Sequence, residues 1–322
     1  MSPLDLVLSA LGAWFAFNMG ASGLAPAFGA TLGARVITAP RAAVAFGVFV
    51  TLGAVLLGPA VTKTLSAGMV PASSFDQMAT LTVLAATNLA LLLANLLGIP
   101  QSTSWVTVAA IIALGVHDGH LATRMLTHRL LPAWLLLPLV AFVVSAGMMR
   151  ALYPLGGARS FGLHAWLSRH AGVLRLLALA SSCYVALAIG ANNVANAVGP
   201  LSAAGVVSVG TGLLLLSPIF GLGAVVMGGP ARTIARDVVP LGLFAATLCN
   251  VVVATLLLVA SHLGLPQSLV QLNAAAVLGV ALVKEGPSAM LDGRSTRRML
   301  VLWVITPILA AALTFGALLV VR

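Results

Sequence analysis

Three asparagines stand close together in an otherwise apolar stretch of the chain. Asn192, Asn193 and Asn196 lie between Ala188 and Pro200. On a helix, residues three and four positions apart are neighbours, so Asn196 lies beside both of the others. Amide side chains offer N–H donors and a carbonyl acceptor. One such asparagine would most simply bond between helices, but three in one short motif favour a ligand site.

Two clusters of polar residues follow a proline. They read Pro100-Gln101-Ser102-Thr103-Ser104 and Pro266-Gln267-Ser268. At a helix start a hydroxyl group caps the free N–H groups, or it joins them in binding an anion at the positive end of the helix. The two roles can coexist. We predict that these residues bind the substrate: Gln101, Ser102, Thr103, Ser104, Gln267 and Ser268.

A matching but weaker motif occurs near the start of the chain. Gly20-Ala21-Ser22 corresponds to Gly190-Ala191-Asn192 at a numbering offset of 170. We therefore place Ser22 and Gly23 at the substrate site with the three asparagines. Three further residues are expected at helix breaks or in ion coupling: Asn18, Gly20 and Gly190.

Acidic residues are scarce, and all six lie near the ends of apolar runs or in loops. A cation or metal substrate would require a carboxylate at the site, so no metal site is expected. The sequence His117-Asp118-Gly119-His120 could form a proton relay or metal site, but it lacks a third convincing ligand. A solvated loop is the simpler interpretation, and His117 is kept as a candidate for proton coupling.

The elements that must position these residues are membrane spans. Of 322 residues, 61% are hydrophobic and 7% are charged, whereas a soluble domain is about a quarter charged. A soluble globular protein, a disordered chain and a disulfide scaffold are excluded. We expect an all-α integral membrane protein with about ten (9–12) transmembrane segments. Ten apolar runs approach the length of a span: 4–30, 40–58, 77–98, 100–116, 130–149, 173–199, 206–227, 239–262, 265–283 and 300–321.

The basic residues predict how these spans are oriented. Twelve of the sixteen Lys and Arg residues fall in alternate loops, which we assign to the cytoplasm because basic residues accumulate there. Both termini are then extracytoplasmic in a multi-pass protein of the plasma (inner) membrane, and the segment 150–172 is a cytoplasmic loop. The partners expected are an anion and membrane lipid, and no nucleic acid.

The two halves of the chain resemble each other. Gly98-Ile99-Pro100-Gln101-Ser102 matches Gly264-Leu265-Pro266-Gln267-Ser268. We predict a first repeat at 1–149 and a second at 173–322, each with five runs, so that the two repeats cross the membrane in opposite directions. The first and sixth runs are predicted to be broken, and the short fourth and ninth could be re-entrant. Inverted repeats with broken helices are typical of secondary transporters.

The motif from Gly190 to Ala197 resembles the Gly-Ala-Asn-Asp-Val-Ala-Asn-Ala signature of the inorganic phosphate transporter family. Asn193 stands where the signature has Asp, and in the diverged first-half copy Gly23 takes that position. The run from Phe17 to Gly23 is more similar to the sulfate permease branch of the family. The family's Pro-Val-Ser-Thr-Thr motif corresponds to the segment 100–104. The resemblance implies anion transport, an inverted-repeat fold, cation coupling and a homodimer.

The loss of both Asp positions bears on the substrate. Phosphate near neutral pH keeps a proton that needs an acceptor, while sulfate needs only donors, and an unpaired buried acceptor would penalise sulfate. We expect a symporter for a tetrahedral oxyanion, with sulfate favoured over phosphate or thiosulfate. A channel and an intramembrane enzyme are the alternatives from other classes; the enzyme is disfavoured because no acid, base or nucleophile lies mid-span. No cofactor is expected. Protons are the expected coupling ion, with sodium, held by Asn oxygens and backbone carbonyls, as the alternative.

Overall fold

The computed structural model describes residues 2–97, 101–152, 169–226, 242–286 and 294–322, with the side chains of the last range described from Trp303 onward. Helices make up nearly all of these ranges, and they contain no strand, which confirms the all-α membrane class. Pro100 and most of the predicted cytoplasmic loop lie outside the described residues.

Twelve helices of nine residues or more form the described fold. They are α1 Pro3–Gly20, α2 Leu24–Gly33, α3 Ala39–Leu57, α4 Gln77–Leu96, α5 Thr103–His117, α6 Leu131–Leu152, α7 Ala171–Asn193, α8 Ala195–Ala203, α9 Val209–Val226, α10 Gly242–His262, α11 Leu269–Glu285 and α12 Arg294–Val321. Short turns extend two of them. These are Pro59–Lys63 with the π-helical Thr64–Gly68 after α3, and Thr123–Met125 with the π-helical Leu126–Leu130 before α6.

Eight segments among the described residues are long and apolar enough to cross a membrane, counting α1 with α2 and α7 with α8 as one each. The fourth and ninth predicted runs instead form α5 and α11, which have 15 and 17 residues. A span through the hydrocarbon core needs about 20 residues. The count of ten full spans is therefore not confirmed, and the two short runs are helices that begin inside the protein.

The two predicted helix breaks are short. The first covers only Ala21 to Gly23, and the second only Val194. Gly23 and Val194 both keep right-handed helical backbone angles, with φ of −89° and −61°. The helices are therefore interrupted at these points without unwinding over the longer stretches 20–29 and 190–199.

Ion pairs at the end of the chain and a hydrogen bond near its start tie both ends to one face of the molecule. The Arg322 guanidinium bonds Asp76 at 2.6 Å, just before α4, and Asp118 at 2.7 Å, just after α5. The side chain of Gln77 in turn bonds Asp5 near the start of α1 at 2.8 Å. Although burial acts to raise it, hydrogen bonds from His117 and Arg322 hold the pKa of Asp118 below its ordinary value. Helices α4 and α5 therefore form a hairpin whose open end lies at the face that carries both termini.

Glycines let helices of the two halves cross with their backbones in contact. A Cβ at Gly20 would overlap the carbonyl oxygen of Phe220, and one at Gly190 would overlap that of Val50. In the same way, a Cβ at Gly53 would overlap the carbonyl oxygen of Leu187, and one at Gly223 would overlap that of Phe17. Adding or subtracting the repeat offset of 170 converts the contacts between α1 and α9 into the contacts between α7 and α3. The two helix crossings therefore correspond to each other. These crossings follow the repeat offset of 170, while the division into repeats at 1–149 and 173–322 stays a prediction.

The loops after α2 and α8 show the same correspondence. Arg35 and Gly205, which are related by the repeat offset, both have positive φ, at 54° and 71°. Their neighbours Val36 and Val206 donate to the carbonyls of Thr31 and Leu201 over 2.9 and 3.0 Å. The two helices therefore end in the same hydrogen-bonded turn, although only the second copy carries the glycine that favours this backbone conformation.

Candidate functional site

Two short helices begin close to each other inside the protein. The hydroxyl of Ser102 accepts the Trp105 N–H at 3.2 Å at the start of α5, and that of Ser268 accepts the Gln271 N–H at 3.3 Å at the start of α11. The two serines have nearly equal backbone angles, with ψ of 101° and 106°. The first N–H groups of a helix have no partner within it, and they carry its positive dipole end. Two such ends meet here.

A cavity lies between these two helix starts. It is a small cavity, and the space between its wall atoms opens in part to solvent. Its lining consists of Ser22, Gln101, Ser102, Thr103, Asn193, Ser268, Leu269 and Val270. Six of these eight residues are among the predicted substrate ligands, and they come from four separate helix ends and bends.

The cavity wall is rich in hydrogen-bond donors. The hydroxyls of Ser102, Ser268 and Thr103 each accept an N–H group and donate to no described atom, so their own protons remain for a ligand. Gln101 is 2% exposed, and its Nε2 has no partner, while its Oε1 accepts from the Thr306 hydroxyl. Ser22 differs, because its hydroxyl donates to the Met19 carbonyl at 2.9 Å.

The three asparagines of the central motif differ in their hydrogen-bond partners and in whether they line the cavity. Asn193 lines the cavity, and its buried Oδ1 has no partner. Asn196 lies behind the wall and donates to the hydroxyls of Thr103 and Ser104, both at 3.3 Å. Asn192 is fully engaged: it donates to Ser261 and to the Leu265 carbonyl and accepts the Gln267 N–H at 2.9 Å. Asn192 therefore shapes the loop before α11 and does not reach the cavity.

The remaining predicted polar ligands lie just outside the lining. Ser104 donates to the Gln267 carbonyl at 3.1 Å and so links the two helix starts. The Gln267 side chain is buried with both polar atoms unpartnered. Sequence reasoning missed Leu269 and Val270 as wall residues. The signal for them was their correspondence with Thr103 and Ser104 in the repeated motif. Nothing in the sequence pointed to Thr306.

Gly23 lies beside the cavity without lining it. A Cβ at Gly23 would be 2.7 Å from Cζ of Phe46 and 3.3 Å from Cε1 of Phe220. The two rings are fully buried and stack with centroids 6.1 Å apart. In the first half the Phe46 ring would therefore have to shift to make room for a side chain where the second half has Asn193.

The residues predicted for helix breaks and coupling lie apart from the cavity. Gly20 and Gly190 form the helix crossings described above. Asn18 donates to the Asn88 carbonyl at 3.3 Å and accepts from Asn95 at 2.7 Å, which ties α1 to α4. His117 ends the 15-residue α5, so it lies about 21 Å along that helix from Thr103. There its Nδ1 is 2.9 Å from Asp118.

No carboxylate of the described chain lines the cavity. Asp5, Asp76 and Asp118 lie at the face of the termini, and Glu285 ends α11. The described ranges also contain no group of three His, Cys, Asp or Glu residues that could hold a metal ion. The wall is thus electrically neutral in its side chains and positive in its helix dipoles.

Comparison with known proteins gives several matches over most of the chain. The model of the phosphate transporter family matches residues 19–314. The sulfate permease CysP of Bacillus subtilis is 32% identical over 97% of this chain and 86% of its own length. A Pyrococcus furiosus protein described as a putative phosphate permease is 24% identical over 88% of each chain. A solved structure of a sodium-dependent phosphate transporter superposes with a TM-score of 0.86 at 21% identity, covering 99% of both chains.

Proposed function

Because the chain belongs to the phosphate transporter family, we propose that it is a secondary active transporter that carries sulfate across the plasma membrane by alternating access. The two inverted repeats supply the two helix starts and the two bends around the cavity. The cavity is the substrate site, and its wall residues bind the anion from both halves of the chain.

The observation that carries this proposal is the donor-rich, carboxylate-free wall between two helix starts. The hydroxyls of Ser102, Thr103 and Ser268, the Gln101 amide and the first N–H groups of α5 and α11 are the candidate donors to a tetrahedral anion at the wall of this one cavity. Helix starts are established anion sites, and buried donors without partners are costly unless a ligand satisfies them. Sulfate is all acceptor, so it matches such a wall.

Phosphate is the second candidate substrate. The buried and unpartnered Oδ1 of Asn193 could accept the proton of hydrogen phosphate. Relatives described as phosphate permeases also match over most of the chain. A neutral amide oxygen is a weaker acceptor than a carboxylate, because charge-assisted hydrogen bonds are about twice as strong as neutral ones. For this reason sulfate is preferred.

The transport cycle also needs an energy source. A divalent anion entering against an inside-negative potential is opposed by about 2.3 kcal/mol per charge per 100 mV, so cations must accompany it. We assign this role to protons, because no carboxylate of the described wall is present to hold sodium. The likeness to a sodium-dependent transporter makes sodium the alternative. We further propose extracytoplasmic termini and a homodimer in lipid.

Uptake by purified protein in liposomes tests the function. Labelled sulfate should accumulate uphill, faster with acid outside, and at the same rate when choline replaces sodium. An excess of phosphate should compete weakly. Liposomes with protein heated beyond unfolding provide the control for leakage.

Each other result has a defined meaning. Preferential uptake of phosphate would establish the second candidate. Sulfate uptake that needs sodium and is flat from pH 6 to pH 8 would refute proton coupling. Equilibration without uphill accumulation would show a channel.

A further inference from the structure

The ring of Phe46 limits which side chains position 23, next to the cavity, could carry. Gly23 follows Ser22, which lines the cavity, and the Phe46 ring occupies the space that a side chain at position 23 would enter. Phe46 is fully buried and stacks on Phe220, so the ring has little freedom to swing away. A side chain at position 23 would therefore have to displace the ring of Phe46, a residue that does not line the cavity.

The second half of the chain shows the opposite combination. At the repeat offset, Asn193 corresponds to Gly23 and Leu216 corresponds to Phe46. Asn193 projects its side chain to the cavity. A leucine has no atom equivalent to the ring Cζ that meets Gly23. The first half thus combines a large residue, Phe46, with a glycine. The second half has a smaller residue and an amide side chain at the corresponding positions.

We propose that Gly23 and Phe46 form a specificity-determining pair: Gly23 places no acceptor beside the cavity, and the Phe46 ring fills the space that a side chain at position 23 would need. The cavity then accepts a fully deprotonated oxyanion and discriminates against a protonated one. The inference rests on the proposed function, because it concerns the same cavity. A carboxylate at position 23 would accept the proton of hydrogen phosphate. Toward sulfate the same carboxylate would be a buried, repelling and unpaired acceptor.

Five proteins test the proposal in liposomes: the wild type, Phe46→Leu, Gly23→Asp, Gly23→Asp with Phe46→Leu, and Gly23→Asn with Phe46→Leu. The initial rates of sulfate and of phosphate uptake are measured at one fixed membrane potential. The decisive quantity is the ratio of the phosphate rate to the sulfate rate, because a loss of stability alone lowers both rates together.

We expect Gly23→Asp alone to lose at least about tenfold in uptake of both anions, because the ring blocks the new side chain. With Phe46→Leu added, phosphate uptake should return, and the ratio should exceed that of the wild type at least about tenfold. The variant Gly23→Asn with Phe46→Leu has nearly the same side-chain shape as the aspartate variant but no charge. Its ratio of phosphate to sulfate rates should stay within about twofold of the wild type. Phe46→Leu alone should also keep the preference for sulfate.

Several outcomes would overturn the proposal. One is uptake at the wild-type rate by Gly23→Asp alone. The others are a folded Gly23→Asp, Phe46→Leu variant that does not transport phosphate, or one whose ratio of phosphate to sulfate rates equals that of the wild type. Size-exclusion and thermal unfolding profiles establish folding, and Phe46→Met replaces Phe46→Leu if the latter does not fold. If the wild type transports neither anion, the proposed function fails. If the wild type transports sulfate and the ratio does not move in the double variant, only the role of the Gly23 and Phe46 pair fails.

Discussion

At the scale of single residues, three asparagines within one short motif have three different sets of partners. Asn192 forms hydrogen bonds with the loop before α11. Asn196 orients the hydroxyls of Thr103 and Ser104. The Oδ1 of Asn193 has no hydrogen-bond partner. An identical side chain is thus a structural support, a positioning group and a candidate ligand. What separates them is the environment that each one meets.

Replacing Asn193 or Asn196 by alanine should therefore reduce transport while the protein stays folded. Asn193→Ala removes a candidate hydrogen bond to a charged ligand, which contributes about 1.5–3 kcal/mol, whereas Asn196→Ala releases the Thr103 and Ser104 hydroxyls that Asn196 orients. We expect sulfate uptake at low concentration to fall at least about tenfold in Asn193→Ala and to fall in Asn196→Ala as well. Asn250→Ala is the matched control, since Asn250 is a buried asparagine of α10 whose amide donates to Ser181, away from the cavity. Normal uptake by both site variants would mean that these amides only pack helices.

The sequence predicted most of the cavity wall but could not assign the role of each residue. Polar residues in apolar runs, placed at matched positions of a repeat, pointed to Gln101, Ser102, Thr103 and Ser268. The distinction between Asn192 and Asn193 depends on the loop before α11, which is distant in the chain and which no local pattern reports. The aromatic ring behind Gly23 was equally hidden, because a buried phenylalanine in a span has no distinguishing signal.

At the scale of helices, four glycines fix the crossings between the halves. At each one a carbonyl oxygen of the crossing helix occupies the place of a Cβ, and backbone cannot yield as a flexible side chain can. Small residues at such crossings are typical of membrane helix pairs, whose association depends on close packing. The sequence revealed these glycines as a repeated pattern, and the structure adds which carbonyl each one meets.

Gly190→Ala should consequently destabilise the protein, because its new methyl group meets the Val50 carbonyl. Overpacking typically costs about 1–3 kcal/mol, and we expect a clear fall in the thermal unfolding temperature in detergent. Gly172→Ala on the same helix is the control, since a Cβ there meets nothing within 4 Å. Equal unfolding temperatures for the two variants would show that α7 can move away from α3.

At the scale of the whole molecule, the family prediction is confirmed and the number of spans is not. The motif from Gly190 to Ala197 indicated the family from one short segment, and the family model matches nearly the whole chain. Hydropathy counts a short apolar helix that begins inside the protein much as it counts a full span. The start of α5 is set by the Ser102 cap and by contacts with the other half, and these lie outside any hydropathy window.

The shared face of the termini gives a prediction of sidedness. Arg322 and Gln77 link the end of the chain, α4 and α1 at one face, so we expect both termini on the same side. The charge distribution predicts that this side is outside. In a Cys183→Ala, Cys249→Ala background, a cysteine at exposed Ala67 should react with a membrane-impermeant maleimide in intact cells. A cysteine at position 160 should react only after permeabilisation. The reverse result would invert the orientation.

The indoles of Trp105 and Trp134 lie 4.8 Å apart. The first belongs to the opening turn of α5, and the second donates from Nε1 to the Pro266 carbonyl at 2.8 Å, next to the start of α11. Two chromophores this close share their electronic excitation, and the coupling changes steeply with separation and angle. The protein therefore carries an intrinsic optical probe beside the two helix starts, and near-ultraviolet circular dichroism could follow these helix starts as they separate, without any attached dye.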